Sequence, residues 1–351
     1  MQHRPLTGPF AWKGAELARD GRWSIDLGPE AARAIVDATA TARAAGVSTD
    51  TVTAQAFPLT SLDGLLARVR DEIEDGCGMV RLRGFPVDRL GADAGLAWMG
   101  FTAHLGTAVA QNPAGQRLRE IRDEGAGVGE RYGQMRVGGE GEVFLSSRAR
   151  TASTAGLRYH TDRCDIVGLL CTGRARSGGE SRVASSVAVH NAMLARRPDL
   201  AALLYQDIPR SRLGEEDDVG REWYPLPIWG IRDGKFTSHY SRTYVEAAQL
   251  LPDVPRLGPA HWEALDMLAA LADELAIEMT LEVGDVQLLN NHVIYHSRAA
   301  FENDPAAGLV RCLLRVWLCA PHRALPVGHE VLWREIEAGR LRGGIATATT
   351  A

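Results

Sequence analysis

An all-β core decorated by helices is the fold class this 351-residue sequence predicts. Short apolar runs recur between Gly and Asp turns, as strands do. Clear helical periodicity gathers early in the chain and once more at 261–278. No internal repeat or low-complexity tract is present, which argues against a repeat architecture. The expectation is mainly β (α+β), one domain over 1–351 with its core at about 76–320.

Residues 1–20 read as a leading arm. Residues 28–46 are Ala-rich at helical spacing. Residues 61–74 (SLDGLLARVRDEIE) make a better helix, with Ser61 as expected N-cap and a stripe of Leu62, Leu65, Leu66, Val69 and Ile73. Residues 76–84 (GCGMVRLRG) read as a strand stopped by Gly-Phe-Pro. From 121 to 156 the chain turns Gly-rich and charged, a long excursion with short strands and a candidate lid. Residues 165–172 (DIVGLLCT) read as a buried strand, followed by the turn SGGES (177–181), a short strand and a helix over 184–196. The segment 210–245 is polar and aromatic, and the plain reading of its 238–244 stretch is a β-hairpin. After the amphipathic helix at 261–278 come 279–282, the turn Val283-Gly284-Asp285, and strands at 286–289 and 309–319. The tail, 328–351, is expected to hold one short helix and a frayed end.

Hydrophobic residues make up 45%, enough for a sizeable core, and the formal net charge is −5. That balance gives no reason to expect nucleic acid or a membrane surface as partner. Lys occurs only at 13 and 235, so Arg carries the positive charge, a bias that base composition explains. The cysteines (77, 164, 171, 312, 319) are odd in number and lack a CxxC pair, and read as reduced thiols of a cytoplasmic protein. The first residues lack the apolar stretch of a secretory signal, and no run reaches the roughly 18 apolar residues that span a membrane.

Three patterns carry chemistry. In His160-Thr161-Asp162, residues two apart point the same way if extended, so imidazole and carboxylate can meet one ion. In NNHVIYHSRAAF (290–301), His292 and His296 are four apart, and on a helix or a strand both could share a face. We take His296 as the ligand and His292 as structural. Two histidines and a carboxylate form the facial set of non-haem iron(II) oxygenases, which leaves positions open. In the strand 309–319, Arg311 and Arg315 project to one face with Leu313 between them. Burying two guanidiniums there is costly unless anions meet them, and a dicarboxylate would serve.

The order HTD (160–162), SGGES (177–181), GD-x4-NN (284–291), HSR (296–298) and R-x3-R (311–315) resembles the taurine dioxygenase-like (TauD/TfdA) branch of iron/2-oxoglutarate dioxygenases, to which clavaminate synthase is related. The resemblance covers roughly 158–318. It implies a double-stranded β-helix (jelly-roll) core with flanking helices and a lid-like insertion. It implies Fe(II) held by His160, Asp162 and His296, with 2-oxoglutarate and O2 as co-substrates. Arg311 would pair with the distal carboxylate of 2-oxoglutarate and Ser181 would help. Arg315 falls where relatives bind a substrate anion or support the co-substrate. The presence of Asp162 argues against halogenation. Succinate and carbon dioxide would leave as a small polar, anionic or amino-acid-like substrate is oxidised, by hydroxylation or by desaturation, cyclisation or cleavage. Relatives are often dimers or tetramers, so a homo-oligomer is expected.

Substrate candidates are Tyr159, Gln111, Asn112, His239, Tyr240, Arg242 and Tyr244, with Arg315. Tyr159 stands where relatives have Trp or Phe, and NNH departs from the usual Asp-Asn-Arg type, so taurine is not the expected substrate. Two other classes compete. A zinc hydrolase on the same cluster would not need Arg311. A non-catalytic jelly-roll binding protein would not need the intact ligand set.

Overall fold

In the computed structural model, described for residues 4–136, 143–213, 222–320, 325–326, 329, 341–345 and 347, strand Ile166–Gly173 separates two layers. Successive side chains of a strand face opposite sides. Ile166 and Leu170 pack outward with the early helices, while Val167 and Leu169 look into an inner cavity. Gly168 sits between them on the outer side because a Cβ there would lie 2.8 Å from the Trp98 ring.

The larger sheet runs β1 (Ser24–Asp26), β2 (Met79–Arg83), β9 (Val286–Asn290), β6 (Ile166–Gly173) and β11 (Cys312–Cys319). The far edge of β11 takes β4 (Leu118–Arg122) and β3 (Thr107–Ala108). Pairing is antiparallel except for β1 with β2. The smaller antiparallel sheet runs β8 (Ile277–Met279), β7 (Ser181–Ser185), β10 (Ile294–Arg298) and β5 (Leu157–His160). Helices Gly28–Ala44, Asp63–Glu74 and Ala94–Thr102 share one apolar core with the larger sheet. Helices Ser186–Arg196 and Pro259–Leu275 back the smaller one. This is a helix-flanked jelly roll, as the family resemblance implies; the strand pattern alone predicts a β core decorated by helices. Among the described residues, no helix is long and apolar enough to cross a membrane.

Several expectations need correction. Ser61 lies inside a 3₁₀ turn, Thr60–Leu62, and does not cap the helix, which starts at Asp63 without a side-chain cap. The excursion 121–156 holds two short helices, Val128–Tyr132 and Ser147–Thr151, besides its strands. The hairpin near 238–244 actually spans Trp229–Arg232 and Lys235–Ser238, and Arg242–Leu250 is a helix. Thr243, Tyr244 and Val245 favour strand locally, but packing on Ile208–Ser211 overrides that preference. The leading arm is tied down: Trp12 is buried and its Nε1 donates to the Cys77 carbonyl. Residues 137–142 of the excursion and the short helix expected beyond 328 lie outside the described residues.

Candidate active site

His160 ends β5, Asp162 follows two residues on, and His296 sits in β10 directly across from His160. Cross-strand partners face the same side, so register alone brings the rings together. Their centroids are 4.2 Å apart. His160 Nε2 lies 3.8 Å from Asp162 Oδ1, and His296 Nε2 lies 3.9 Å from Asp162 Oδ2. One ligand atom from each of the three falls within 4.8 Å of the others. These separations are too long for hydrogen bonds. Three electron-rich atoms therefore face one point without satisfying each other.

The protonation states suit a cation. His160 Nδ1 donates to the Arg158 carbonyl at 2.8 Å, since a carbonyl oxygen can only accept, and this leaves Nε2 as the ring nitrogen toward Asp162. Burial foremost, then the neighbouring His160, pushes His296 down to about 3 against the pull of Asp162, so its ring is neutral. Burial opposes ionisation of Asp162. The Arg315 guanidinium, the two imidazoles and Trp317 outweigh it and hold the carboxyl below its usual range. Trp317 Nε1 donates to Asp162 Oδ2 at 2.8 Å, and Asn291 Oδ1 accepts the Asp162 backbone N–H at 3.2 Å. The donor set, two imidazoles and one carboxylate on one side of a cavity, fits ferrous iron.

The larger sheet forms the opposite wall. Arg311, Leu313 and Arg315 line the same cavity as the cluster, with Ser181 and Arg298. Arg311 precedes β11, where the register slips between Cys312 and Leu313. It is buried, has no ion-pair partner among the described residues, and its Nη1 makes no hydrogen bond. Burial lowers it to about 10. Gly179 makes room for it: φ is +79°, and a Cβ would lie 2.9 Å from Arg311 Nε. Arg298 is also buried, lowered to about 9 by burial and by Arg311, and its Nε and Nη1 are unsatisfied. Its Nη2 donates to the Ser153 and Ala155 carbonyls. Ser181 presently donates its hydroxyl to Gln287 Oε1 at 2.8 Å.

The other predicted residues divide. His239 and Tyr244 line the outer part of the site with Arg148, Ser241 and Arg315. Arg210 Nη1 donates to His239 Nδ1 at 2.9 Å. Since Arg has no acceptor, His239 must carry its proton on Nε2, which is buried and unsatisfied. Gln111 does not line the cavity; its Oε1 accepts from Arg315 Nε at 2.7 Å and its Nε2 donates to the Arg315 carbonyl. Asn112 closes a turn on Gln116. Tyr159, beside His160, faces the opposite side as alternation demands, and its hydroxyl lies 3.5 Å from Asp273. Tyr240 is buried against Tyr295, and Arg242 pairs with Glu246 and Asp266. His292 stands apart from the cluster, bonded to Asp165 and Thr237. Sequence reading assigned no role to Trp317, Arg298 or Asn291. Arg298 was within reach, since it follows His296 by two and so shares its face.

Residues 44–317 match the model of the taurine catabolism dioxygenase TauD, TfdA family. The chain belongs to the TauD/TfdA family. It is 31% identical over 327 residues to FR-33289 synthase of Streptomyces rubellomurinus, covering 90% of both chains. It is 28% identical over 336 residues to the taurine hydroxylase-like protein SAT17 of Stachybotrys chartarum, covering 94% of this chain and 81% of that one. Among solved structures, asparagine oxygenase AsnO superposes with a TM-score of 0.63 at 18% identity, covering 85% of this chain and 93% of that one. The non-heme iron oxygenase OrfP, in complex with Fe and alpha-ketoglutaric acid, superposes with a TM-score of 0.60 at 19% identity, covering 84% and 93%. As a TauD/TfdA enzyme, this protein is a non-haem iron dioxygenase that uses 2-oxoglutarate.

Proposed function

We propose that this dioxygenase hydroxylates a small anionic or amino-acid-like substrate, with His160, Asp162 and His296 as iron ligands and Arg311 as the anchor of the distal 2-oxoglutarate carboxylate. The observation that carries this is Arg311: a buried guanidinium without an anionic partner among the described residues, lining one cavity with the His/Asp/His cluster. Such a charge is costly unless a ligand neutralises it. When bound, iron with dioxygen and 2-oxoglutarate supplies the oxidising power and releases succinate and carbon dioxide. The chain's own residues do the positioning. Trp317 and Arg315 fix the Asp162 carboxylate, Gln111 fixes Arg315, and Arg298 shares the positive wall with Arg311. Ser181 reaches a carboxylate only if its hydroxyl leaves Gln287. His239 offers a neutral N–H to an acceptor on the substrate. Ser147, Arg148 and Thr151 of the excursion wall the site and support its role as a lid. The five cysteines form no disulfide among the described residues, which supports a reducing, cytoplasmic setting.

Anaerobic reconstitution with ferrous iron and 2-oxoglutarate tests this. A weak visible charge-transfer band is expected, absent in His160→Ala. In Arg311→Ala the band should need at least tenfold more 2-oxoglutarate, the loss expected for a contact worth about 1.4 kcal/mol or more. Unchanged co-substrate demand in that variant would refute its role.

A further inference from the structure

Between the excursion helix Ser147–Thr151 and strand β5, the chain is held by four successive carbonyls. Ala152 O accepts from the Glu124 N–H at 2.9 Å, and Thr154 O from the Phe301 N–H at 3.1 Å. Arg298 Nη2 serves the other two, donating to Ser153 O at 2.8 Å and to Ala155 O. Half of this anchorage therefore hangs on one guanidinium. Arg298 is 5% exposed, and its Nε and Nη1 have no hydrogen bond. Asp123 acts on it only from a distance: that carboxylate accepts from the Gly125 N–H, and no ion pair joins it to Arg298 among the described residues. Arg298 also belongs to the positive wall of the site. It lines one cavity with Arg311. The two guanidiniums lie 4.7 and 5.3 Å from the centre of the same ring, Phe301. At its other end the anchored segment adjoins the substrate wall. Thr151 lines the iron-side cavity, and Ser147, Arg148 and Thr151 line the outer part of the site.

We propose that Arg298 is the positioning residue through which co-substrate binding sets the substrate wall. Two buried guanidiniums repel, and a carboxylate bound at Arg311 offsets that repulsion with attraction. Arg298 is then held in place as a fully charged donor, and its bonds to Ser153 and Ala155 become harder to break. Those carbonyls pass the gain to the helix that ends at Thr151, two residues upstream of Ser153. The substrate wall is thus firm only when the co-substrate is in place. Arginine suits this task, because its planar fork can serve two carbonyls from one nitrogen and keep others for the cavity, which the single ammonium of lysine cannot. Such coupling is reciprocal, so a firm segment also favours 2-oxoglutarate. This inference rests on the reading that Arg311 anchors the co-substrate.

The test uses the full chain, held anaerobically with ferrous iron, with and without 2-oxoglutarate at about a hundredfold over its dissociation constant. The visible band reports the co-substrate, and amide hydrogen exchange across residues 147–155 separately reports the segment. In the wild type, 2-oxoglutarate should slow that exchange at least about tenfold, the worth of one hydrogen bond to a charged group. Arg298→Gln should still give the band, through Arg311, while exchange at 147–155 no longer responds to 2-oxoglutarate. A merely structural Arg298 would shift exchange equally with and without the co-substrate. Arg298→Lys keeps the charge but loses the fork, so it should recover only part of the slowing, and it gives the readout if Arg298→Gln folds poorly. A band without slowing in the wild type, or slowing that survives undiminished in either variant, overturns the coupling alone. Loss of the band in Arg298→Gln would make Arg298 a second co-substrate anchor and also overturn it. Slowing that depends on Arg298 but appears without any band would overturn the co-substrate reading and leave the coupling standing.

Discussion

Asp162 and Asp165 lie three residues apart, and each gathers histidine and arginine, yet they end in opposite states. Asp165 is closed. Its Oδ1 meets His292 Nε2 at 2.8 Å, both oxygens meet Arg342 Nε at 2.9 Å, and Oδ2 accepts the Ala320 N–H. Asp162 is open. Its imidazoles stand off at 3.8 and 3.9 Å and Arg315 at 3.5 Å, with Trp317 as its one short side-chain bond. Identical residue types make a structural clamp where donors touch the carboxylate and an open cluster that could hold an ion where they stand back. Side-chain direction, set by strand register, decides which.

The contrast can be broken by mutation. Asp165→Asn should cost about 3–5 kcal/mol in urea unfolding, since Arg342 loses the carboxylate that neutralises it in the interior. Asp162→Asn keeps an oxygen for Trp317 and should cost about 1 kcal/mol or less in the metal-free protein. Equal losses in the two variants would erase the distinction. A next, smaller effect is metal linkage. Ferrous iron at a hundredfold over its dissociation constant should add about 2.7 kcal/mol to the native protein, and nothing to Asp162→Asn. Chelation should reverse the gain, read as a shift in melting temperature.

Trp317→Phe removes the bond that aims Asp162. Iron affinity should fall about 10–100-fold with unfolding in urea nearly unchanged, as for other groups that orient metal ligands. An unaltered iron titration would show that Arg315 alone suffices. The gentlest probe is pH. Burial first, then Arg210 and His329, with smaller pushes from Arg163 and His292, keeps His239 neutral in the fold, far below its ordinary 6.5. The unfolded chain therefore binds more protons than the native one below about pH 6.5, and stability falls as pH drops through that value, by at most about 1.4 kcal/mol per unit. His329, lowered to about 3, acts in the same direction. His239→Asn should make this acid limb shallower, measured by urea unfolding at stepped pH.

The comparison also marks what a sequence discloses. His160 with Asp162, and Arg311 with Arg315, could be read because each pair lies within one short segment whose period is local. His296 could not be chosen over His292 by spacing, since residues four apart share a face on a helix or a strand; what favoured it was the Ser297-Arg298 that follows and the Arg-bearing strand beyond. The direction of Tyr159 was legible too, since a neighbour of His160 in a strand must face away. The tasks of Gln111 and Trp317 were not, because each depends on a partner more than 150 residues distant. Ser61 and the 242–250 helix failed for a different reason, as packing overrode local preference.

Gly168, pressed by Trp98, reaches further than its place on the outer face suggests. The His160, Asp162 and His296 cluster sits on the smaller sheet's side of the cavity and Arg311 and Arg315 on the larger sheet's, so the gap between sheets works as the jaw of a calliper. The early helices press on the outer face of the larger sheet, one of the two jaw faces. A bulkier residue at Gly168 would alter what length of molecule the enzyme can measure, with every reacting group left in place.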